Sequence, residues 1–305
     1  MDEIQKNLLL EVADLHDVPM GAYNIRSNVK SIGRASSEHI EIVSKKDKDG
    51  IDILIKPGTK SESVHIPVLL SESGFSDIVY NDFYVGENSD VVIVAGCGIH
   101  NGGDQKSEHD GIHTFHIGKN AKVRYIEKHY GEGDGNGERV LNPTTVVYID
   151  EGGYMDMETA QIKGVDSTVR TTSAVLKDGA TLVIHEKIMT HGHQTATTDF
   201  TVDLDGKGSG ANVISRSVAK GNSKQTFRSR INGNNLCNGH TECDAIIMDN
   251  GSVSAIPELT ANNVEASLIH EAAIGKIAGE QLTKLMTLGL TEKEAEEEIV
   301  SGFLK

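Results

Sequence analysis

The densest set of reactive side chains lies in the segment LCNGHTECD, from Leu236 to Asp244. It holds two of the three cysteines, Cys237 and Cys243, with a histidine and two carboxylates. Thiolates are nucleophiles and ligands for soft metals, so iron and persulfide chemistry are open to this segment. The segment lacks the CxxC or four-cysteine pattern of a stable protein-only cluster. We therefore expect ligands from elsewhere in the chain to complete any metal site here.

Three distant residues are candidates to complete it. Cys97 lies between two glycines, which predicts an exposed turn where a sulfur-carrying thiol can be approached; the alternative is a small residue packed at a coil corner. His270 and Glu271 would point to opposite sides of a strand, and Ala272 and Ala273 favour a helix start that lets both line one site. The alternative is a core histidine beside a glutamate stabilised by the helix dipole.

Strand alternation places Cys243 on one face with Thr241 and Ala245, opposite Glu242 and Asp244. The two carboxylates favour a cation but raise the pKa of a neighbouring thiol, so they help only if a metal or a protonated histidine balances them. We interpret Cys243 as the main ligand of a nascent cluster, with a buried structural thiol as the alternative.

The other reactive groups of this segment are weaker candidates. Cys237 lies in a sequence rich in Gly and Asn, and is either an auxiliary ligand or a loop thiol. His240 is either a ligand or a solvated loop residue, and we favour the loop.

Composition restricts the class of protein. The 305 residues include 32 Gly and no Trp, with 37% apolar residues, which is typical of many short strands joined by tight turns. The formal net charge of −16 argues against nucleic-acid binding, since neutralising phosphates needs a basic face. We expect no membrane contact and a cytoplasmic location, because no segment reaches the ~18 apolar residues of a span and the acidic start is unlike a secretory signal. In a reducing compartment three cysteines are free thiols, ligands or redox groups.

A turn followed by an alternating strand recurs through the middle of the chain. Equivalent points at Asp90, Ala121, Tyr154, Thr181 and Ala211 are separated by 31, 33, 27 and 30 residues. This period is too short for propeller blades and lacks the helical pattern of ankyrin or TPR repeats. Two to three short strands per period predict a β-solenoid whose coils bury their inward-facing residues on one another; a large β-sandwich is the alternative.

Other patterns flank these repeats. Residues 2–15 carry one apolar helical face, which predicts a short amphipathic helix covering an end of the fold. Two period-two segments separated by DKDG, within residues 40–55, predict a β-hairpin.

Two helices are predicted at the C-terminus, over residues 274–288 and 292–304. Gly289 is placed as a C-terminal cap residue, and Thr291 with Glu294 forms a capping box. We expect this pair to cap the last coil or to dock another protein. The resulting division is an N-terminal helical cap and linker (1–35), a β-helix core (36–265) and a C-terminal helical region (266–305).

The segments HTECDAII, ASLIHEAAIGKI and QLTKLMTLGLTEKEAEEEIVSGF resemble the C-terminal core of the SufB/SufD family of iron-sulfur cluster assembly proteins. Upstream, VRYIEKHY followed by NP and the repeated strands is also similar to that family. The resemblance covers roughly residue 21 to the end, and its C-terminal signature is quite specific.

The resemblance implies a mainly β fold, a right-handed parallel β-helix flanked by short N- and C-terminal helical regions. It implies pairing through the β-helices and binding of a SufC-type ABC ATPase by the C-terminal helices. Such a complex accepts persulfide sulfur from a cysteine desulfurase or another donor, and iron. It builds a transient cluster, expected to be 4Fe-4S, for delivery to apoproteins. The chain lacks a P-loop, so we expect a scaffold rather than an enzyme, with ATP hydrolysis by the partner.

Within the family, the pattern of Cys243, His270 and Glu271 is similar to SufB, where these residues lie at the dimer interface. Cys97 falls where SufB has the cysteine that receives sulfur, and Cys237 is retained as an auxiliary cluster ligand. The sequence departs from larger relatives where Gln-Asn-Trp is replaced by Glu-Lys-His at residues 127–129. We expect a homodimer to replace the SufB/SufD heterodimer, with the heterodimer as the alternative.

Other histidines allow a second hypothesis, a metal-dependent small-molecule enzyme on a cupin-like all-β fold. His191 and His193 form an HGH pair that would place both rings on one face of a strand, and His113 and His116 are three residues apart. A sugar-acting β-helix lyase ranks last, since an acidic chain is poorly suited to a polyuronate substrate.

Overall fold

The computed structural model describes residues 1–305 as a parallel β-solenoid of about eight turns. From β4 (Gly50–Ile55) onward the chain alternates between two sheets, so each coil contributes one strand to sheet A and one to sheet B, and in one coil the sheet B strand is divided into β10 (Arg139–Leu141) and β11 (Thr144–Ile149). Strands are numbered in chain order. Sheet A comprises β1 (Ala22–Ser27), β2 (Lys30–Ala35), β5 (Lys60–Leu70), β7 (Asp90–His100), β9 (Lys122–Glu132), β12 (Tyr154–Lys163), β14 (Thr181–Thr190), β16 (Ser209–Ala219), β18 (Cys237–Ile247) and β20 (Ala266–Gly275).

Sheet B faces sheet A across the core and is also mostly parallel. Its first two strands form the antiparallel hairpin predicted around DKDG. Sheet B comprises β3 (Ile40–Ser44), β4 (Gly50–Ile55), β6 (Ser76–Val85), β8 (Ser107–Ile117), β10 (Arg139–Leu141), β11 (Thr144–Ile149), β13 (Ser167–Leu176), β15 (Thr195–Leu204), β17 (Lys224–Gly233) and β19 (Ser252–Ala261).

The β-solenoid predicted from the repeats is confirmed, with two strands per coil, and its strands are parallel, as the family resemblance implies. Asp90 pairs with Lys122, which pairs with Tyr154, then Thr181 and Gly210, so two of the five predicted equivalent points are one residue off. A shift of one residue along a strand moves its side chains to the opposite face of the sheet. Because each strand pairs residue by residue with the strand of the next coil, the inward residues of successive coils stack in straight rows.

The interior has an apolar and a polar part. Ile, Val, Leu and Phe from both sheets form one continuous core, in which Phe83 and Phe115 stack with ring centroids 4.4 Å apart. Another set of inward positions carries histidines, carboxylates, hydroxyls and one arginine, all buried. We call this second set the polar seam, and its members are His109, His113, Tyr125, Glu127, His129, Arg170, Glu186, Thr198 and Ser215.

Helix α1 (Glu3–Ala13) lies on the outer face of sheet A instead of covering an end. It packs against β7 where Gly96 and Gly98 flank Cys97. A Cβ at Gly96 would lie 2.7 Å from the carbonyl oxygen of Val12, and one at Gly98 would lie 3.0 Å from Leu8 Cδ2. The two glycines, which have no side chain, therefore leave room for helix α1 to pack against β7.

Helices α2 (Gly279–Thr287) and α3 (Glu292–Phe303) follow the solenoid. The first starts later than predicted because strand β20 continues through Gly275. Gly289 has a positive φ of 99°, and the capping box of Thr291 with Glu294 is present, as predicted. No helix of the chain is long and apolar enough to cross a membrane.

The last coil is not capped, contrary to the expectation for the terminal helices. Strands β19 and β20 each pair on one side, with β17 and β18 respectively, and most of their residues are exposed. Helix α2 buries no residue, and α3 lies beside the coil corners near Ile162, Met189 and Met248. The two sheets therefore end in open strand edges.

Candidate functional site

Strand β18 places Cys243 in the interior of the solenoid. Cys243, Thr241 and Ala245 are buried, whereas Glu242 and Asp244 lie on the outer face. This confirms the predicted division of faces. It follows from the extended backbone, which β16 and β20 hold by pairing on both sides.

His270 and Glu271 do not line one site. The predicted helix start is wrong, because β20 remains extended from Ala266 to Gly275. His270 pairs with the inward Thr241 and so lies on the same side of the sheet as Cys243, one coil further on. Glu271 pairs with Glu242 on the outer face. Within one chain, Cys243 and His270 share the interior and Glu271 is separated from them by the sheet.

The Nδ1 atom of His270 is buried and has no hydrogen-bond partner. Buried imidazole nitrogens are normally paired, so this nitrogen has an unused hydrogen-bonding or ligand position. His65 and His109 share this feature, and His270 differs from them in lying at the open end of the interior.

Cys243 is 1% exposed. Burial, and secondarily the charges of Glu186 and Asp244, raise the pKa of the Cys243 thiol to about 12. The thiol is protonated at neutral pH, so binding metal or sulfur here must displace a proton.

Cys97 lies in the middle of β7 and is 2% exposed, so the predicted exposed turn is wrong. The flanking glycines serve the packing of α1. Burial, with the charges of Asp77 and Glu127, raises the pKa of the Cys97 thiol well above its usual value. Cys97 instead borders a small internal cavity that His109, His113 and His129 also line.

The polar seam begins beside Cys97. His129 is the register neighbour of Cys97 on the next coil. Arg170 Nη2 lies 3.2 Å from His129 Nδ1, and Arg170 Nη1 donates to Glu127. The hydroxyl of Tyr125 donates to Glu127 Oε1 at 3.0 Å.

The seam continues from Arg170 to Cys243. Arg170 Nε lies 3.6 Å from Glu186 Oε1, and Glu186 accepts hydrogen bonds from Thr198 at 3.0 Å and Ser215 at 2.8 Å. Ser215 is the register neighbour of Cys243. A row of polar side chains therefore joins the surroundings of the two cysteines.

Charge in the seam is balanced around Arg170. Burial opposes ionisation of Glu127, but Arg170 and His129 hold the pKa of Glu127 well below its usual value. Burial raises the pKa of Glu186, which Arg170 and the two hydroxyl donors offset in part. Burial also lowers the pKa of His129, so its ring is neutral at neutral pH.

The sequence did not identify Arg170 and Glu186 as site residues. Both occupy inward positions of strands whose other inward residues are Thr, Ala and aliphatic side chains. The sequence signal that could have identified them was therefore a charged residue at a position that faces inward. Recognising it requires the strand register, which the sequence alone leaves uncertain by one residue.

Cys237 is not in a loop. It is the first residue of β18, is 1% exposed and packs in the apolar core, six residues along the strand from Cys243.

His240 lies on the outer face of β18 and is partly exposed, so it is not a loop residue either. Its Nδ1 lies 2.8 Å from Asn212 Oδ1, and its Nε2 lies 3.7 Å from Glu271 Oε2. Ligand atoms of His240, Glu242 and Glu271 all lie within 4.8 Å of one another. Burial and the adjacent Asp244 carboxylate raise the pKa of Glu242.

The remaining histidines do not form cupin-like pairs. His113 points into the core and His116 lies on the outer face, where it stacks between Tyr84 and Tyr148. His191 and His193 lie in the exposed turn between β14 and β15. The solenoid topology also excludes the cupin-like fold on which the enzyme hypothesis depended.

Comparison with known proteins identifies the family of this chain. Residues 73–303 match the SUF system FeS cluster assembly, SufBD core domain. The chain belongs to the SufBD family. This span runs from the third coil to the end of α3 and includes all three cysteines.

Relatives in the SufBD family match this chain over different lengths. An iron-sulfur cluster assembly SufBD family protein of Methanocaldococcus jannaschii is 32% identical over 86% of this chain and 84% of its own length. One of Archaeoglobus fulgidus is 31% identical over 90% of this chain and 73% of its own length. The iron-sulfur cluster assembly protein SufB of Bacillus subtilis is 40% identical over 30% of this chain and 21% of its own length. The SufBD assignment supports a role in iron-sulfur cluster assembly.

The polar seam predicts a loss of stability in mild acid. Burial lowers the pKa of His113 from 6.5 to about 4, so the unfolded chain binds a proton that the folded chain does not. A lowered pKa gives stability that is present above pH 6.5 and is lost as the pH falls toward 4. We expect His113 to account for about 3 kcal/mol of the loss.

Urea denaturation at a series of pH values tests this. His113→Gln should flatten the dependence of the unfolding free energy on pH, whereas His116→Gln, on the outer face, should leave it unchanged. Equal slopes in all three proteins would contradict the assignment.

Proposed function

We propose that this protein is a scaffold of a SUF-type assembly system that accepts sulfur and iron, builds a nascent iron-sulfur cluster and passes it to apoproteins. The observation that carries the proposal is the polar seam, which connects the surroundings of buried Cys97 to those of buried Cys243 inside one solenoid. Sulfur, iron and the cluster are cargo. The protein itself is not an enzyme in this proposal, and it acts in the cytoplasm, where its thiols stay reduced.

Cys97 is the sulfur acceptor. Its thiolate attacks the outer sulfur of a donor persulfide, supplied by a cysteine desulfurase or another donor. A new S–S bond forms at Cys97, the donor's S–S bond breaks and the donor thiolate leaves, so the step has no net redox change. The high pKa of the Cys97 thiol means that loading requires a base to remove its proton.

The sulfur then moves along the interior to Cys243. Five strand spacings of sheet A separate β7 from β18, or about 24 Å at ~4.8 Å per spacing. The side chains along this route include Arg170 and the hydroxyls of Thr198 and Ser215, which can donate hydrogen bonds to an anionic persulfide. Glu127 and Glu186 already accept bonds from these donors, so transfer requires the seam to rearrange.

Cys243 and His270 hold the growing cluster at the open end of the solenoid. A thiolate and an imidazole are suitable ligands for iron and iron-sulfur clusters, and the unpaired Nδ1 of His270 supports this use. Glu271 joins from the outer side at the sheet edge. Cys237 lies about 20 Å from Cys243 along β18, so it is too far away to bind the same cluster. The transient cluster is of the 4Fe-4S type.

Homodimerisation through the last coil completes this site. The first strands of both sheets end in short antiparallel hairpins, whereas the ten-residue strands β19 and β20 leave long edges exposed. Exposed long edges are available for pairing with another chain. A second copy would cover His270 and place its own Cys243 nearby. Purification of the chain with a distinct SufD-like subunit would support the heterodimer instead.

A SufC-type ABC ATPase binds the C-terminal helices. Helix α2 buries no residue, and Leu288 at its end is 76% exposed. Movement of these helices with the ATPase would open the interface near Cys243 and His270. This coupling would give access to the buried Cys243 thiol.

Anaerobic reconstitution with iron and sulfide tests the cluster site. Cys243→Ser should lose the cluster observed by Mössbauer spectroscopy in the unaltered protein, because serine offers no soft thiolate. Cys237→Ser is the matched control on the same face of the same strand, and we expect it to retain most of the cluster. An unchanged spectrum in Cys243→Ser would refute the central role of this residue.

Persulfide loading tests the acceptor. Cys97→Ser should abolish sulfur loading from a desulfurase, measured by mass spectrometry, and leave the oligomeric state intact, because Cys97 lies far from the last coil. Loading equal to that of the unaltered protein would remove Cys97 from the pathway.

Binding of the ATPase tests the docking helices. Leu288→Asp should weaken co-purification of a SufC-type ATPase at least tenfold through loss of an apolar contact and burial of a charge. Met20→Asp, at another exposed apolar residue, is the control and should bind normally. Equal binding by both variants would place the ATPase elsewhere.

A further inference from the structure

A second group of potential ligands lies on the outer face of sheet A, on the opposite side of the sheet from Cys243. His240 and Glu242 come from β18, and Glu271 comes from β20 on the next coil. Their ligand atoms lie within 4.8 Å of one another. Neighbouring ligands of one tetrahedral or octahedral ion at ~2.1 Å lie about 3.0–3.4 Å apart, so the side chains must move together by up to about 1.5 Å. Glu271 is 67% exposed and free to rotate.

The hydrogen bond of His240 indicates which nitrogen is available. Asn212 Oδ1 can only accept, so the proton of the neutral imidazole lies on Nδ1, 2.8 Å away. The lone pair is then on Nε2, which faces Glu271 at 3.7 Å. Histidine ligands of metals commonly have their second nitrogen fixed by such an oxygen.

The charge around this group differs from that of the same row on earlier coils. Glu158 lies three strands back on the outer face, where Arg124 at 3.5 Å and Lys187 at 3.3 Å neutralise it. Glu242 has Asp244 beside it, and Arg216 is near but forms no ion pair with it. Glu242 and Asp244 therefore place negative charge on the outer face of sheet A that no lysine or arginine pairs.

We propose that His240, Glu242 and Glu271 bind one divalent first-row metal ion on the outer face of the last two coils. One imidazole and two carboxylates suit Fe²⁺, Mn²⁺ or Zn²⁺, with water in the remaining positions. Resting on the proposed function, the ion is ferrous iron held next to Cys243 before it joins sulfur. Glu242 and Cys243 are adjacent on opposite faces of β18, one strand from the open edge of the sheet.

Anaerobic titration with Co²⁺ as the probe distinguishes this site from the cysteines. Cobalt bound by nitrogen and oxygen gives weak visible bands, whereas a thiolate ligand adds intense ultraviolet charge transfer. We expect one equivalent without the thiolate bands, displaced by Fe²⁺. His240→Ala and Glu242→Gln should each weaken binding at least tenfold, and Asn212→Leu should weaken it about tenfold through loss of the orienting bond.

His185→Ala and Glu158→Gln are matched controls on the same face of sheet A and should bind Co²⁺ normally. Circular dichroism checks that each variant is folded. Thiolate bands, or binding unchanged by His240→Ala, would overturn the outer site and leave the cluster proposal standing. If Cys243→Ser leaves the cluster unchanged while Co²⁺ still binds at His240, the outer metal site stands but its role as an iron donor is removed.

Discussion

The buried guanidinium of Arg170 is the interaction on which the interior depends. It lies between Glu127 and Glu186, and all three side chains are at most 3% exposed. Burying an uncompensated charge costs several kcal/mol, so neither carboxylate could remain ionised there without the arginine. Arg170 therefore allows a solenoid core to carry a continuous polar seam where aliphatic side chains would otherwise fill the space. The stacked coils extend that seam from the third coil toward the last.

The same burial sets the chemistry of the two interior cysteines. Low exposure and nearby carboxylates keep Cys97 and Cys243 protonated at neutral pH. Protonated thiols are poor nucleophiles and poor metal ligands, which protects them from adventitious oxidation. The proposed function therefore requires these thiols to be exposed and deprotonated before they react. The two ends of the solenoid differ, because the first coil ends in short antiparallel hairpins and the last coil leaves long strand edges exposed.

Most of the fold was predictable from the sequence. Gly and Asp turns at intervals of about 30 residues predicted the solenoid, and the alternation of Thr241, Cys243 and Ala245 predicted the inward face of β18. The local signals of Gly289 and of Thr291 with Glu294 predicted the end of α2 and the start of α3. These features depend on a few neighbouring residues, so the sequence carries them directly.

Two features of the site depended on contacts between residues that are distant in the sequence. Pairing with β18 keeps β20 extended, which separates His270 from Glu271 despite the helix-favouring alanines that follow. Pairing of β7 with β5 and β9 keeps Cys97 extended and turns its side chain into the interior, where the local sequence favoured an exposed turn. The sequence by itself determined the repeat, the faces of its strands and the residue types available for sulfur and iron. Only the tertiary structure decided which of them meet, because stacking register joins residues about 30 positions apart.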